Sequence, residues 1–197
     1  MRRAGFLFWF GSALILGGAA LLALHSYDSL RSHSAQRKAK AWLNAEVATL
    51  PAPQTQARAS GSAPAVRRGD VLGELRIDRL HMSVMVFEGD DRDILKIGAG
   101  HIPGTAVSPG NGNIGIAAHR DTFFRPLRLI RARDVITLRT ASGTARFTVT
   151  ETEIVRPTRV EVLDRAPGRD LTLVTCYPFA YMGRAPQRFI VHARKLA

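Results

Sequence analysis

From Asp70 to the C-terminus the chain is a succession of short β-type runs, and this limits the fold more than any other feature. The runs are Val71–Ile77, Ser83–Phe87, Asn113–His119, Val135–Arg139, Ala145–Val155, Leu171–Cys176 and Phe189–Ala193. β-Branched and aromatic residues dominate them, as suits side chains standing on a pleated, half-buried surface. Turn signals separate them: Ser142-Gly143, Ala166-Pro167-Gly168 and Ser108-Pro109-Gly110-Asn111-Gly112-Asn113. Only Asp91–Ile97 and the stretch around Phe124–Ile130 have the character of helical turns. Many short strands with few helices point to an all-β barrel or sandwich. The roughly 128 residues from 70 to 197 are enough to enclose one core.

The first 69 residues are built differently. Arg2 and Arg3 precede an apolar stretch, Gly5 to Leu24, which contains no charged residue. Its twenty residues, at about 1.5 Å rise each, match a hydrocarbon core of roughly 30 Å. It is longer than the h-region of a cleavable signal peptide. An uncleaved signal anchor is therefore expected at 5–24, behind a short basic tail at 1–4. Arg2 and Arg3 favour an inside N-terminus, against the pull of Arg31, Arg37, Lys38 and Lys40 beyond the span. Ser29 to Leu50 offers a weak apolar stripe, Leu30, Ala41, Trp42 and Val47, among basic residues. It is either an amphipathic segment on anionic headgroups or a solvated stalk. Pro51 to Gly69 is Pro/Ala/Ser-rich linker. The expected division is thus 1–4, 5–24, a stalk and linker at 25–69, and a folded domain at 70–197.

The net charge is +12, and its excess is densest before the folded domain: residues 1–69 hold nine Lys/Arg against two Asp/Glu. Such a charge invites an anionic surface as partner. One cysteine excludes an internal disulfide and any zinc site made of several thiolates.

That cysteine, Cys176, ends the run Leu171-Thr172-Leu173-Val174-Thr175-Cys176-Tyr177-Pro178-Phe179. Pro178 cannot donate to a sheet, so the strand should stop near Tyr177. Cys176 then stands where a rigid strand meets a loop, a suitable place for a nucleophile. A lone cysteine is more often a small buried hydrophobe, so other residues must support the chemical reading. Ile114-Gly115-Ile116-Ala117-Ala118-His119 repeats the design and delivers His119 to a strand end. His101, in a Gly-rich loop, stays open as a second histidine, whereas His192 falls inside the last strand and reads as structural. Arg188 begins that last strand. If the strand pairs with the cysteine strand as a hairpin, Arg188 lies near Cys176, where a guanidinium can serve an oxyanion and a thiolate. Arg184, in the same loop, competes for that role.

An apolar anchor, a linker, Gly-Asn-Ile-Gly-Ile-Ala-Ala-His-Arg-Asp-Thr-Phe-Phe, then Leu-Thr-Leu-Val-Thr-Cys-Tyr-Pro-Phe and Arg-Phe-Ile-Val together resemble the sortases, most nearly those of class D or E. The resemblance covers essentially all of residues 70–197. It implies an eight-stranded sortase-type β-barrel with short helices, preceded by the N-terminal transmembrane helix. It also implies a cysteine transpeptidase with Cys176 as nucleophile, His119 as general acid/base and Arg188 stabilising oxyanion or substrate. No Asp or Asn is assigned to orient His119. Two positions depart from the pattern: Ala118 stands where many relatives have Gly, and Arg133-Asp134 where a Gly-Asp turn is common.

The implied substrates are secreted proteins with a C-terminal Leu-Pro-x-Thr-Gly-like sorting motif, and the implied acceptor is an amine on the envelope or on another protein. The implied place is a single-pass position in the cell membrane, with the catalytic domain outside the cytoplasm and lipid contacted through residues 5–24. No cofactor and no nucleic acid are expected. Some sortases bind calcium through acidic clusters, but Glu88, Asp90, Asp91 and Asp93 read as a helix N-terminus, so no metal is expected. Two alternatives remain. One is another envelope cysteine transpeptidase or hydrolase acting on peptidoglycan peptides; the other is a non-enzymatic basic β-barrel that binds anionic polymer.

Overall fold

The structure, a computed structural model, describes residues 2–49, 66–166, 168–181 and 183–196, with the first helix confined to its backbone at residues 2–8, 10–13, 24 and 25. Eight strands close into one barrel: β1 (Val71–Ile77), β2 (Met82–Glu88), β3 (Ala99–His101), β4 (Ile114–Ala117), β5 (Val135–Thr140), β6 (Gly143–Val155), β7 (Leu171–Tyr177) and β8 (Gln187–Lys195). Around the barrel they run β1-β2-β3-β4-β7-β8-β6-β5, and β5 pairs back to β1. Two neighbouring pairs are parallel, β2 with β3 and β4 with β7. The others are antiparallel. The expected eight-stranded barrel with short helices is thus the fold of residues 71–195.

Alternation along the strands sorts side chains between two environments. On β2, Val84 and Val86 point into the barrel with Leu75, Ile116, Phe147 and Leu173. Met85 and Phe87 point outward, yet they too are buried. Their cover is the first helix, α1 (Arg2–Thr49), whose Ala39 and Leu43 pack on Met85, Phe87 and Ile94. Ile94 belongs to the short helix α2 (Arg92–Ile97), which makes the crossover that a parallel β2–β3 pair requires. Asp91 caps α2 by accepting from the amides of Asp93 and Ile94. Both of its oxygens also accept from Arg68, at 2.7 Å. The hydrogen bond from Arg68 is the largest influence on the Asp91 carboxyl and draws its pKa down to about 2. Asp91 of the acidic run thus serves both as a helix cap and in an ion pair.

The region expected as a stalk is continuous with the N-terminal helix, and its second half is docked. Gln36 donates to the carbonyl of Ile97 at 2.6 Å and accepts from the amide of Met85 at 2.8 Å. Lys40 reaches the buried Glu74 at 2.8 Å. Arg139 donates to Asn44 at 2.7 Å. The docked face is therefore Gln36, Ala39, Lys40, Leu43 and Val47, at i, i+3, i+4, i+7 and i+11. Of the stripe read from the sequence, Val47 lies on this face, whereas Leu30, Ala41 and Trp42 are exposed. On the docked face, Ala39 and Leu43 are joined by polar residues with partners in the barrel, Gln36 and Lys40. Residues 51–65 of the linker expected at 51–69 lie outside the described residues.

No helix among the described residues is long and apolar enough to cross a membrane. The span expected at 5–24 falls partly on residues whose side chains lie outside the description.

The turn before β5 explains one departure from the family pattern. Arg133 has φ +71°, in the left-handed region where a Cβ is costly. It is held there by its amide, which donates to the Val149 carbonyl, and by Asp134, whose carboxylate accepts from the Arg131 amide at 2.8 Å. A glycine meets that geometry without strain. Arg133→Gly is expected to stabilise the domain by about 1 kcal/mol in urea unfolding. No gain would show that local contacts of the arginine offset the strain.

Candidate active site

The site is assembled by the parallel pair β4–β7 and the hairpin β7–β8. Strand β4 pairs with β7 with Ala117 opposite Val174. Both chains therefore emerge from the same end of the barrel, β4 toward His119 and β7 toward Cys176. The strand read as Asn113–His119 is shorter in the structure, Ile114–Ala117, so His119 lies two residues past its end. It is held there from both sides. The amide of Ala118 donates to the Val174 carbonyl at 3.2 Å, and the carbonyl of His119 accepts from the Phe124 amide at 3.1 Å. Phe124 is fully buried, so the loop leaving His119 is pinned to the core.

Thr175 adds a second clamp. Its hydroxyl donates to the Ala118 carbonyl at 2.7 Å, and both residues are buried. The residue before the cysteine thus holds the residue before the histidine. The expected hairpin is present, and its register puts Arg188 directly opposite Cys176. Strand β7 ends at Tyr177, ahead of Pro178 as expected. Tyr177 and Phe179 pack on Phe189 of β8, with ring centroids 6.3 and 5.3 Å apart, and fix the start of the loop beyond the cysteine.

Cys176, His119 and Arg188 line one cleft of about 740 Å³, together with Arg92, Arg120, Asp121, Gly183, Arg184 and Ala185. Cys176 is half-buried rather than sealed in the core. The arrangement offers a thiol, an imidazole and a guanidinium to one bound molecule. Arg184 lines the cleft as well, but Arg188 is the cross-strand partner of the cysteine. Arg188 is steadied by donating through Nη1 to the Gln187 carbonyl at 3.1 Å. Asp121 also faces the cleft; no hydrogen bond or ion pair of its carboxylate is found among the described residues.

The other histidines belong elsewhere. His101 is buried, with Nδ1 2.8 Å from Glu88 and Nε2 3.0 Å from Thr105, and ties β3 to the loop before β4. His192 is buried between Thr172 and Glu153, at 3.1 and 3.0 Å. Through Thr172 it reaches Asn113, so a polar network braces the end of the β4–β7 pair away from the cleft.

Arg120 is a cleft residue that the sequence analysis did not place in the site. Its Nη2 donates to the carbonyls of Tyr181 and Gly183, at 2.5 and 3.2 Å. Its guanidinium carbon stands 5.7 Å from the centre of the Tyr181 ring, within cation–π range. It therefore ties the histidine loop to the loop that follows the cysteine. Its place directly after His119 was the available signal, but its partners are main-chain oxygens about sixty residues away.

Comparison with known proteins agrees with this geometry. Residues 75–196 match the family model described as the sortase domain. Sortase D of Bacillus subtilis is 31% identical over 129 residues, covering 65% of this chain and 65% of its own length. Sortase A of Streptococcus agalactiae is 31% identical over 132 residues, covering 62% of this chain and 52% of that protein. The chain thus spans from about half to just under two thirds of the length of these relatives. Among solved structures, a Clostridium perfringens sortase D5 transpeptidase superposes with a TM-score of 0.67 at 23% identity, covering 83% of this chain and 99% of that one. The sortase SrtA of Actinomyces oris gives 0.59 at 29% identity, covering 72% and 88%. A Clostridium perfringens sortase C solved with a C-terminal cell wall sorting motif gives 0.60 at 22%, covering 84% and 89%. With a family model matched from within β1 to the end of β8, the cleft included, the chain belongs to the sortase family.

Proposed function

We infer that this chain is a membrane-anchored transpeptidase, a sortase that cuts a Leu-Pro-x-Thr-Gly-like sorting motif and passes the acyl part to an amine. The observation that carries the reading is the cross-strand pairing of Cys176 with Arg188 in a cleft shared with His119. The thiolate of Cys176 attacks the scissile carbonyl carbon and the carbonyl π electrons move onto oxygen. Arg188 donates charge-assisted hydrogen bonds to that oxyanion. The C–N bond breaks as protonated His119 gives its proton to the leaving amine, and a thioester remains on Cys176. An incoming primary amine then attacks the thioester, His119 takes the amine's proton, and the thiolate leaves. Water in place of the amine yields hydrolysis. The neighbour solved with a sorting motif supports a peptide of that kind as donor.

The anchor rests on Gly5–Leu24. Trp9, Leu14, Ile15, Leu16, Leu21 and Leu22 of this stretch are each at least 63% exposed, so nothing among the described residues covers them. Lipid would. Release of the full chain from membranes by alkaline carbonate alone would refute the anchor.

The reaction is tested by incubating the full chain in detergent with a library of sorting-type peptides and weighing the intact protein. An acyl adduct on Cys176 is expected. A folded chain with an intact thiol and no adduct from any peptide would count decisively against the reading.

The Thr175 clamp gives a second test. Thr175→Val keeps the shape but leaves the Ala118 carbonyl without its hydroxyl donor, at a cost of about 1–2 kcal/mol in stability. His119 then loses part of its alignment with Cys176, and kcat should fall about tenfold with little change in KM. Serine at 175 restores the hydroxyl and should restore most of the rate. A fall in stability with kcat unchanged would make Thr175 a purely structural residue.

A further inference from the structure

The cleft holds more positive charge than the chemistry at Cys176 uses. Arg92, Arg120, Arg184 and Arg188 line it, against one carboxylate, Asp121. Arg188 is taken by the oxyanion in the reading above, which leaves three guanidinium groups. For two of these, Arg92 and Arg184, no ion pair is found among the described residues. Arg92 stands between Asp91 and Asp93, but Asp91 is already the cap of α2 and the partner of Arg68, and Asp93 lies 3.9 Å from the same Arg68. Arg184 lies in the β7–β8 loop with no acidic residue within five positions on either side.

Arg120 is held in place by the protein itself. Its Nη2 donates to two carbonyls, and its Nη1 is buried beside them, with no hydrogen-bond partner among the described residues. An atom closed to water is closed to a ligand oxygen too, so what Arg120 brings to the cleft it lines is a fixed positive charge beside Arg92 and Arg184. A neutral amide oxygen could accept a hydrogen bond from the arginines that line the cleft. It would leave the like charges of Arg92, Arg120 and Arg184 uncompensated in a partly enclosed space, where their repulsion is less screened than in water. A carboxylate answers both needs, and its two oxygens match the planar guanidinium fork.

We propose that the cleft carries a carboxylate-binding subsite built from Arg120, Arg92 and Arg184, so that the enzyme prefers a substrate bearing an acidic group close to the reacting bond. The proposal rests on the transpeptidase reading for the identity of that substrate. The carboxylate belongs either to an Asp or Glu flanking the scissile bond of the donor peptide, or to the amine acceptor.

Two arms separate these sources. In the first, donor peptides differing only by Glu or Gln at each position next to the sorting motif are compared with the full chain in detergent, by the rate of adduct formation on Cys176. In the second, one neutral donor is used and acceptor amines are paired as free carboxylate and carboxamide. In one arm the acidic member should be favoured about tenfold or more, as a charge-assisted hydrogen bond implies. That preference should shrink with added salt and fall to within about threefold in Arg92→Gln/Arg184→Gln. Arg120→Gln should do the same, but this residue also holds the loop at Tyr181, so the double variant is the cleaner test.

Equal use of acidic and neutral members in both arms, by a chain that still forms the adduct, overturns the subsite and leaves the transpeptidase reading standing. A preference that survives the double variant overturns it as well. If no peptide forms an adduct, the transpeptidase reading fails. The subsite is then decided by equilibrium binding of the same Glu and Gln peptides and the same amine pairs to the Cys176→Ala chain. Tighter binding of the acidic member supports it, and equal binding overturns it.

Discussion

Cys176→Ala is expected to lower the rate of acyl transfer by at least about a thousandfold, and His119→Ala by a comparable factor. The double variant should be hardly worse than either single one. The reason is that the two groups act on one event. Without the thiolate there is no thioester for the imidazole to help form or resolve. Without the imidazole the leaving amine departs as a poor leaving group. Groups that work as a unit are strongly non-additive when removed one by one. Measured initial rates on one donor peptide and one amine, with unfolding curves for all three variants, check this. Rate losses that multiply in the double variant would mean that the two side chains contribute independently, against a joint role in the cleft they share.

Leu43→Asp is expected to be the most damaging change outside the barrel. Leu43 is fully buried between α1 and the outward side chains of β2. A carboxylate cannot stay there unpaired, so the helix should undock rather than bury it. Losing the leucine and its neighbours' cover should cost about 3–5 kcal/mol. Undocking also separates Lys40 from Glu74, a carboxylate only 2% exposed. Burial pushes the Glu74 pKa upward, but hydrogen bonds from Lys40 and Ser83 and the charges of Lys40 and Arg76 outweigh it, so the folded pKa lies below the ordinary value. A carboxyl lowered on folding adds stability above its unfolded pKa, about 4.3, and loses it as pH falls through the folded value. In the native chain, this part of the stability is therefore present at neutral pH and lost in acid. Leu43→Asp should weaken that acid dependence, because Glu74 loses Lys40. Urea unfolding at pH 7 and in acid, with hydrogen exchange over residues 36–47, measures both effects. Unchanged protection of the helix would refute the docking.

These expectations draw unequally on what could be read from the chain. Seven of the eight strands were legible because they carry β-branched and aromatic residues between clear turns. The missing one, β3, is Ala99-Gly100-His101, and nothing in three such residues signals a strand. It exists because Gly100 lets the backbone come close to the Gly89 carbonyl, where a Cβ would collide, and because β2 offers a parallel edge. The positions of Cys176, His119 and Arg188 were legible because each stands where a strand gives way to a loop. The docked face of α1 was not, since it depends on Gln36 meeting Ile97 and Lys40 meeting Glu74, partners 61 and 34 residues away. Arg120 was hidden for the same reason, its partners being carbonyl oxygens that any residue could present. Local pattern reports periodicity and strand ends well. It is silent on contacts that a fold creates between polar groups far apart in the chain.

The circular pairing of the eight strands, with β5 returning to β1, has a consequence for how a peptide can be held. A ring of strands has no edge strand open along its whole length, only short stretches that outrun a neighbour, such as Thr175–Tyr177 of β7 beyond the end of β4. An extended guest therefore finds no full-length edge to join as a ninth strand, the route by which many peptide-binding domains gain affinity without reading side chains. Most of the grip must come from the loops above the barrel and from the side chains that project there. Affinity and selectivity then reside in the same few residues, and either can be altered only by touching both.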